Sequence, residues 1–252
     1  MNNEGALFNG LLRLSDDHLV LGHRLSEWCG HAPMLEEDLS LPNMALDLIG
    51  QARTLYAYTG EVEGKGRDED AIAYLRRESE YKNLLLVERP NGDFAHTIVR
   101  QFYFAVFMEL FWQKAIDSKD ATIAAIAGKA VKEMAYHVRH CGEWIIRLGD
   151  GTEESARRIA DAIDALHPYT DEMFDVDDTT QSLIDAEILP DSSNLKDEWD
   201  SLIGRVFAAG KISIPEQYWP KRGGRRGEHG EEMGFLLTDL QYMQRTYPDM
   251  TW

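Results

Sequence analysis

The sequence predicts an all-α protein organised around a helical bundle, and three observations carry that expectation. Apolar residues recur every three to four positions through several long segments, the period of a helix with one face in a core. Strand signals are nearly absent. The four longest segments fall into two successive pairs, so the chain reads as a repeated helical hairpin. At 252 residues the chain suffices for one large helical domain spanning residues 1–252. Its core helices are expected over about 7–148, with C-terminal helices and a basic loop over about 152–252.

In order, Leu7, Leu11, Leu14, Leu21, Leu25 and Trp28 form the stripe of a first helix that Gly30-His31-Ala32-Pro33 closes. A second helix is expected from near Ser40 to Gly60, with Pro42 tolerated in its first turn. Its stripe is Leu41, Met44, Ala45, Leu48, Ala52, Leu55 and Tyr56. Glu61 to Glu69 reads as a charged loop, Asp70 to Ser79 as a short exposed helix, and Leu84 to Val87 as a buried connector. Asp93 is an N-cap for a helix to about Ile116, apolar on more than one face through Phe94, Ile98, Phe102, Phe107, Phe111 and Trp112. Such a helix belongs at the centre of a bundle or at a subunit interface. The fourth long helix spans Asp120 to Leu148, and Thr152 caps a fifth that ends near Phe174. A solvated acidic turn, Asp175 to Asp178, precedes a minor helix around Leu183, and Asn194 caps a further helix through Trp199 and Phe207. The basic loop Pro220 to Gly227 leads into a last helix from about Met233 to Tyr247.

With 26 Lys and Arg against 44 Asp and Glu, the net charge is −18, which excludes a nucleic-acid-binding surface. Met1-Asn2-Asn3-Glu4 has neither a positive nor an apolar leader region, and the apolar run Phe102 to Trp112 is too short for a bilayer. A cytoplasmic protein without membrane contact is expected. Cys29 and Cys141 are expected to be reduced and buried. No phosphate loop, dinucleotide fingerprint or Gly-x-Ser-x-Gly is present.

The segment Lys132 to His140 carries the chemistry. Glu133, Tyr136, His137 and His140 stand at i, i+3, i+4 and i+7, on one helical face. Di-iron carboxylate bundles take a Glu from each of two helices and a Glu-x-x-His from each of the other two. Aligning the two hairpins places Asp17, Asp47 with Gly50, Tyr103, and Glu133 with Tyr136 at those positions. Both i+3 histidines are then missing, and one bridging carboxylate is a tyrosine. Losing three ligands removes much of the ligand field and charge balance of an iron pair. Gln51 and His137, one residue later, are rotated by about 100° on the helix. A metal-free network is therefore expected, with Glu133, Tyr136 and His137 hydrogen-bonded to Asp47 and Gln51. His140 is expected to be exposed, and His18, His23 and His31 are read as surface or cap residues. Lys221, Arg222, Arg225 and Arg226 place four cations in six residues among glycines. That cluster suits a phosphate clamp, an acidic partner or a solvated loop.

Several segments together carry a resemblance: Glu27-Trp28-Cys29-Gly30-His31-Ala32-Pro33, Asp47 to Arg53, Asn83 to Gly92, Lys132 to His137, Gly223 to His229 and Leu240 to Arg245. The chain resembles the PaaC-type subunits of the bacterial phenylacetyl-coenzyme A 1,2-epoxidases over nearly its whole length. The resemblance implies a ferritin-like fold and a structural role in a multicomponent monooxygenase of phenylacetate catabolism. It implies no catalytic residue and no cofactor in this chain. The di-iron centre would belong to a PaaA-type sister subunit, with NADPH electrons arriving through a reductase component. Lys221, Arg222, Arg225 and Arg226 are then candidates for contact with the acyl-CoA phosphates or the partner. Two alternatives stand beside this: a divergent dimetal oxygenase using Asp17, Asp47, Glu133 and His137, and a homo-oligomeric helical scaffold.

Overall fold

The computed structural model describes residues 3–248 and 250; Met1 and Asn2 lie outside it. Among the described residues ten α-helices form and no strand. They are α1 (Asn3–Ser26), α2 (Leu35–Glu63), α3 (Glu69–Tyr74), α4 (Leu85–Glu88), α5 (Phe94–Ala115), α6 (Ala121–Gly149), α7 (Glu153–Leu166), α8 (Asp178–Asp185), α9 (Lys196–Ala209) and α10 (Glu231–Thr246). The bundle is built from α1, α2, α5 and α6. Within it α1 packs along α2, α5 along α6, and α2 against α6. His18 contacts Phe104 and Trp112, which closes α1 onto α5. A second layer of α7 and α9 covers α5 and α6, α8 lies on α1, and α10 on α3.

Helix α5 is the axis of this arrangement: 17 of its 22 residues are buried. Its N-terminus is fixed by Asp93, whose carboxylate accepts from His96 N at 2.9 Å. The all-round apolar pattern therefore marks the core rather than a subunit interface. One side meets α6, and the other meets α9, where Tyr103 packs on Trp199 and Phe207. Each such ring, fully buried, contributes roughly 1.5–3 kcal/mol.

Several boundaries differ from the sequence reading. Helix α2 begins at Leu35, not near Ser40, so Pro42 sits inside it. The earlier start is favoured by Glu36, Glu37 and Asp38 in the first turn. Asp38 Oδ1 also accepts from Gly30 N at 2.8 Å and Ala32 N at 3.3 Å, bracing the preceding turn. Pro42 then removes one backbone bond without ending a helix held by tertiary packing. The helix runs through Gly60 and stops at Gly64, whose φ of +67° gives the left-handed cap. Helix α3 ends at Tyr74 and is not exposed, since Ile72 and Ala73 are buried. The connector at Leu84 is buried as expected, but its core is one helical turn, α4. Helix α7 ends at Leu166, before Pro168, and 3₁₀ turns carry the chain to Phe174. Asp191, not Asn194, caps the turn that leads into α9, accepting from Ser193 N at 3.0 Å. Cys141 is buried, whereas Cys29 is exposed. Among the described residues no helix is long and apolar enough to cross a membrane.

Candidate functional site

Each bundle helix places one buried polar side chain in a central polar cluster, His18 from α1, Gln51 from α2, Gln101 from α5 and His137 from α6, and all but His18 hydrogen-bond to another helix. The Gln101 amide donates to His137 Nδ1 at 3.0 Å, which leaves Nε2–H to donate to Asp47 Oδ2 at 3.1 Å. Gln51 Nε2 donates to Glu133 Oε2 at 2.7 Å, as expected from the sequence, and Lys129 lies 3.2 Å from Oε1 of the same carboxylate. His18 Nδ1–H donates to Leu14 O at 2.7 Å. Burial lowers the His18 pKa to about 4, so the ring is neutral. Its Nε2 then presents a lone pair that finds no partner, as do Gln51 Oε1 and Gln101 Oε1.

The residues assigned to degenerate ligand positions do not converge. Asp17 is buried but bonds to Leu84 N and Arg225. Tyr103 faces the second layer, with its hydroxyl 3.2 Å from His167 Nδ1. Gly50 is only partly buried, and Tyr136 is exposed, stacked on His140 with ring centroids 5.7 Å apart. Tyr136 thus stands outside the network expected to include it. Of the set, Asp47, Glu133 and His137 make hydrogen bonds between α2 and α6, and Asp47 and His137 are bonded to each other.

The inward register is one residue later than the hairpin alignment gives on three helices. His18 replaces Asp17, Gln51 replaces Gly50, and His137 replaces Tyr136; on α5 the inward residue is Gln101, two before Tyr103. Three residues before Gln51 and His137 stand Leu48 and Met134, both fully buried. The Glu-x-x-His positions are therefore occupied by Leu-x-x-Gln and Met-x-x-His. His137 does face the centre, because the inward partner on its helix is Met134 and not Glu133.

A di-iron centre needs carboxylates to balance its charge. The inward set of His18, Leu48, Gln51, Gln101, Met134 and His137 supplies no carboxylate, and both nitrogens of His137 are engaged. These residues do not fit a di-iron centre. Among the described residues no three His, Cys, Asp or Glu side chains gather to hold a metal.

The network extends along the α2–α6 seam. His140 is not exposed: its Nε2 donates to the buried Glu37 at 2.8 Å. With Asp47–His137, Gln51–Glu133 and the Tyr58–Asp120 bond of 2.5 Å, polar pairs run antiparallel from one end of the seam to the other. Polar pairs of this kind fix register between two helices.

The basic loop is fastened to the bundle through Arg225 and its own backbone. Arg225 donates to Asp17 through Nη1 at 3.1 Å and Nη2 at 2.8 Å, and to Lys82 O at 2.8 Å. Burial pushes the Asp17 carboxyl up to about 6, against the lowering pull of Arg225. Its neighbour Asp16 accepts from Arg76, Tyr56 and Lys82 N. Both carboxylates therefore anchor the segment 76–84. Glu172 accepts from Gly223 N at 2.9 Å and Leu85 N at 3.0 Å. A Cβ on Gly224 would lie 2.0 Å from Asn83 O, so the loop backbone lies directly against the chain's own 83–85 segment. Arg222 pairs with Asp175 at 2.6 Å and Arg226 with Glu228 at 2.8 Å. Lys221 is exposed and carries no ion pair among the described residues. The acidic turn is likewise not merely solvated: Asp177 takes two bonds from Arg13, at 2.9 and 2.5 Å. A cavity of about 180 Å³ beside the loop has Phe107 and Phe111 in its wall, and each arginine lining it already holds a carboxylate.

The sequence matches the phenylacetic acid catabolic protein family over residues 1–252. The chain belongs to that family. It is 42% identical over 241 residues to the C-type subunit of the 1,2-phenylacetyl-CoA epoxidase of Escherichia coli strain K12, covering 96% of this chain and 97% of the relative. The all-α, ferritin-like bundle is the fold expected for this member of the phenylacetic acid catabolic protein family.

Sequence reasoning missed His18 and Gln101 as central residues, and His18 had a signal. It falls in the 3–4 stripe Leu11, Leu14, Leu21, Leu25, all buried, where a surface histidine has no place. Gln51 likewise continues Leu41, Met44 and Leu48. Gln101 had no such signal, because almost every neighbour on α5 is apolar.

Proposed function

We propose that this chain is the non-catalytic structural subunit of a phenylacetyl-CoA 1,2-epoxidase, a monooxygenase complex of phenylacetate catabolism. In this reading it is one ferritin-like unit that supports a PaaA-type sister subunit. That sister subunit holds the di-iron centre and is reduced from NADPH through a reductase component. The identity to a C-type epoxidase subunit supports the complex. The observation that carries the non-catalytic role is the inward set of the bundle. Where the catalytic pattern requires four carboxylates, this chain presents His18, Leu48, Gln101 and Met134. No second reading gains from the geometry: Asp17, needed for a dimetal site here, is committed to Arg225 and Leu84 N.

The basic loop enters this reading in reduced form. Arg225 serves the fold, and Lys221, Arg222 and Arg226 remain as exposed contacts for the partner or for acyl-CoA phosphate. Epoxidation of phenylacetyl-CoA by the sister subunit, co-expressed with and without this chain, tests the function. Loss of soluble, active sister subunit in its absence is expected. Full activity without it would remove the structural role.

A further inference from the structure

Helix α2 is apolar on more than one face, yet only part of it is covered. It packs on α1, α3 and α6. On the side facing away, Leu35, Leu39 and Leu46 are 70%, 59% and 66% exposed. Spacings of four and seven residues put these leucines in one row. A solvent-facing helix of the same protein looks different. On α7, Arg157 pairs with Glu154 at 2.9 Å and Asp161 at 2.6 Å, and Arg158 with Glu154 at 2.7 Å. Among the described residues no ion pair crosses the leucine row. A helix apolar beyond a single stripe is buried in a core or in an interface; α5 is the first case, and α2 is left for the second.

Beside the row, a groove of about 240 Å³ runs between α2 and α6, lined by small residues such as Gly50, Thr54, Thr122 and Ala125. A cavity of about 150 Å³ holds a benzene ring, so this groove takes one or two large apolar side chains from a ridge on another helix. The exposed face of α6 that borders it carries Lys129, Lys132 and Arg139 against Glu143. Among the described residues only Lys129 of these cations is ion-paired, to Glu133; Arg139 lies over the exposed Tyr136 ring at 5.6 Å. In a chain of net charge −18, a leucine row flanked by unpaired cations calls for an apolar ridge with an acidic rim. A second copy of this chain would bring the same unpaired cations and a further −18.

We propose that the outer face of α2 and α6, centred on Leu39 and Leu46 and flanked by Lys132 and Arg139, is the surface on which the helical sister subunit docks. The proposal rests on the structural-subunit reading. It gives the segment 132–140 a double role. Glu133, His137 and His140 lock α6 to α2, while Lys132, Tyr136 and Arg139 face the partner.

The test is binding of the purified sister subunit to the full chain, measured by biosensor, with melting temperature and solution mass recorded for each variant. Leu39→Glu with Leu46→Glu is expected to weaken binding about 100-fold or more with the melting temperature unchanged. Lys132→Glu with Arg139→Glu is expected to slow association and to flatten its dependence on salt. Phe235→Glu, on the exposed face of α10, is the control and should bind as the parent does. If the parent chain fails to bind, the subunit reading falls together with the docking face. If the leucine variant binds as the parent does, the docking face alone is wrong, whatever Phe235→Glu does. If the parent is a homodimer that the leucine substitutions dissociate, the occupant is a second copy and the sister subunit is excluded from this face.

Discussion

Arg225 Nη2 lies 2.8 Å from Asp17 Oδ2 and joins the basic loop to α1 across 208 positions of sequence. The sequence reading assigns these residues to separate sites, one as a remnant metal ligand and the other as a phosphate contact, and each is the other's partner. The carboxylate is fully buried and the guanidinium largely so. Removing one member of such a pair strands the other, so Arg225→Ala should cost about 2–4 kcal/mol in urea unfolding. Arg226→Ala breaks only the exposed contact with Glu228 and should leave the unfolding midpoint where it is.

Asp17 also sets a pH dependence. Its native pKa of about 6 stands above the ordinary 3.8, so between those values the folded state binds more protons than the unfolded state. Stability contributed by this group therefore falls as pH rises from near 4 to about 6. Asp17→Asn should flatten the stability profile across that window. A slope unchanged from the parent would contradict the assignment.

His229 acts in the same direction in a higher pH window. Nδ1 donates to Glu88 Oε2 at 2.7 Å and Nε2 to Tyr81 O at 3.0 Å, so both nitrogens carry protons. Burial opposes the charge, but Glu88 raises the pKa above its ordinary value. The stabilisation is fully present below about 6.5 and is lost as pH rises through the raised native value. His229→Gln should remove that alkaline loss, read from thermal melts taken between neutral and alkaline pH.

At the centre of the bundle, His18 carries a buried Nε2 without a partner and packs against Phe104 and Trp112. A lone buried acceptor costs about 1–3 kcal/mol. His18→Leu should therefore be neutral or stabilising by about 1 kcal/mol and leave the activity of the assembled enzyme unchanged. A loss of activity at normal stability would give His18 a role that the structural reading denies.

The helices are legible in the sequence wherever local signals act alone. Asp93 and Thr152 cap their helices as expected, and Asp120, read as the first residue of its helix, caps it as well; each accepts from a backbone N–H two or three residues on. Helix starts held by distant groups are not legible, as with α2, whose first turn is braced through Asp38. At the central site the sequence alignment is off by one residue on three helices. It takes Glu133 as the inward group, although the apolar stripe through Met134 and Cys141 already contains His137. A carboxylate beside Lys129 at the edge of a helix is accommodated by its neighbour's charge and need not face the core. The fate of the basic loop has no local signal at all. Its glycines permit close approach, but only the fold shows that the approached surface is the segment 83–85.

The central claim is that this bundle has kept its architecture without the carboxylates of a di-iron centre. Iron per pair of chains, measured on the purified complex of this chain with its sister subunit from iron-replete cells, tests it most directly. One di-iron centre per pair, lost when the sister subunit's ligands are substituted, is the predicted result. A second centre per pair that persists after those substitutions would contradict the account.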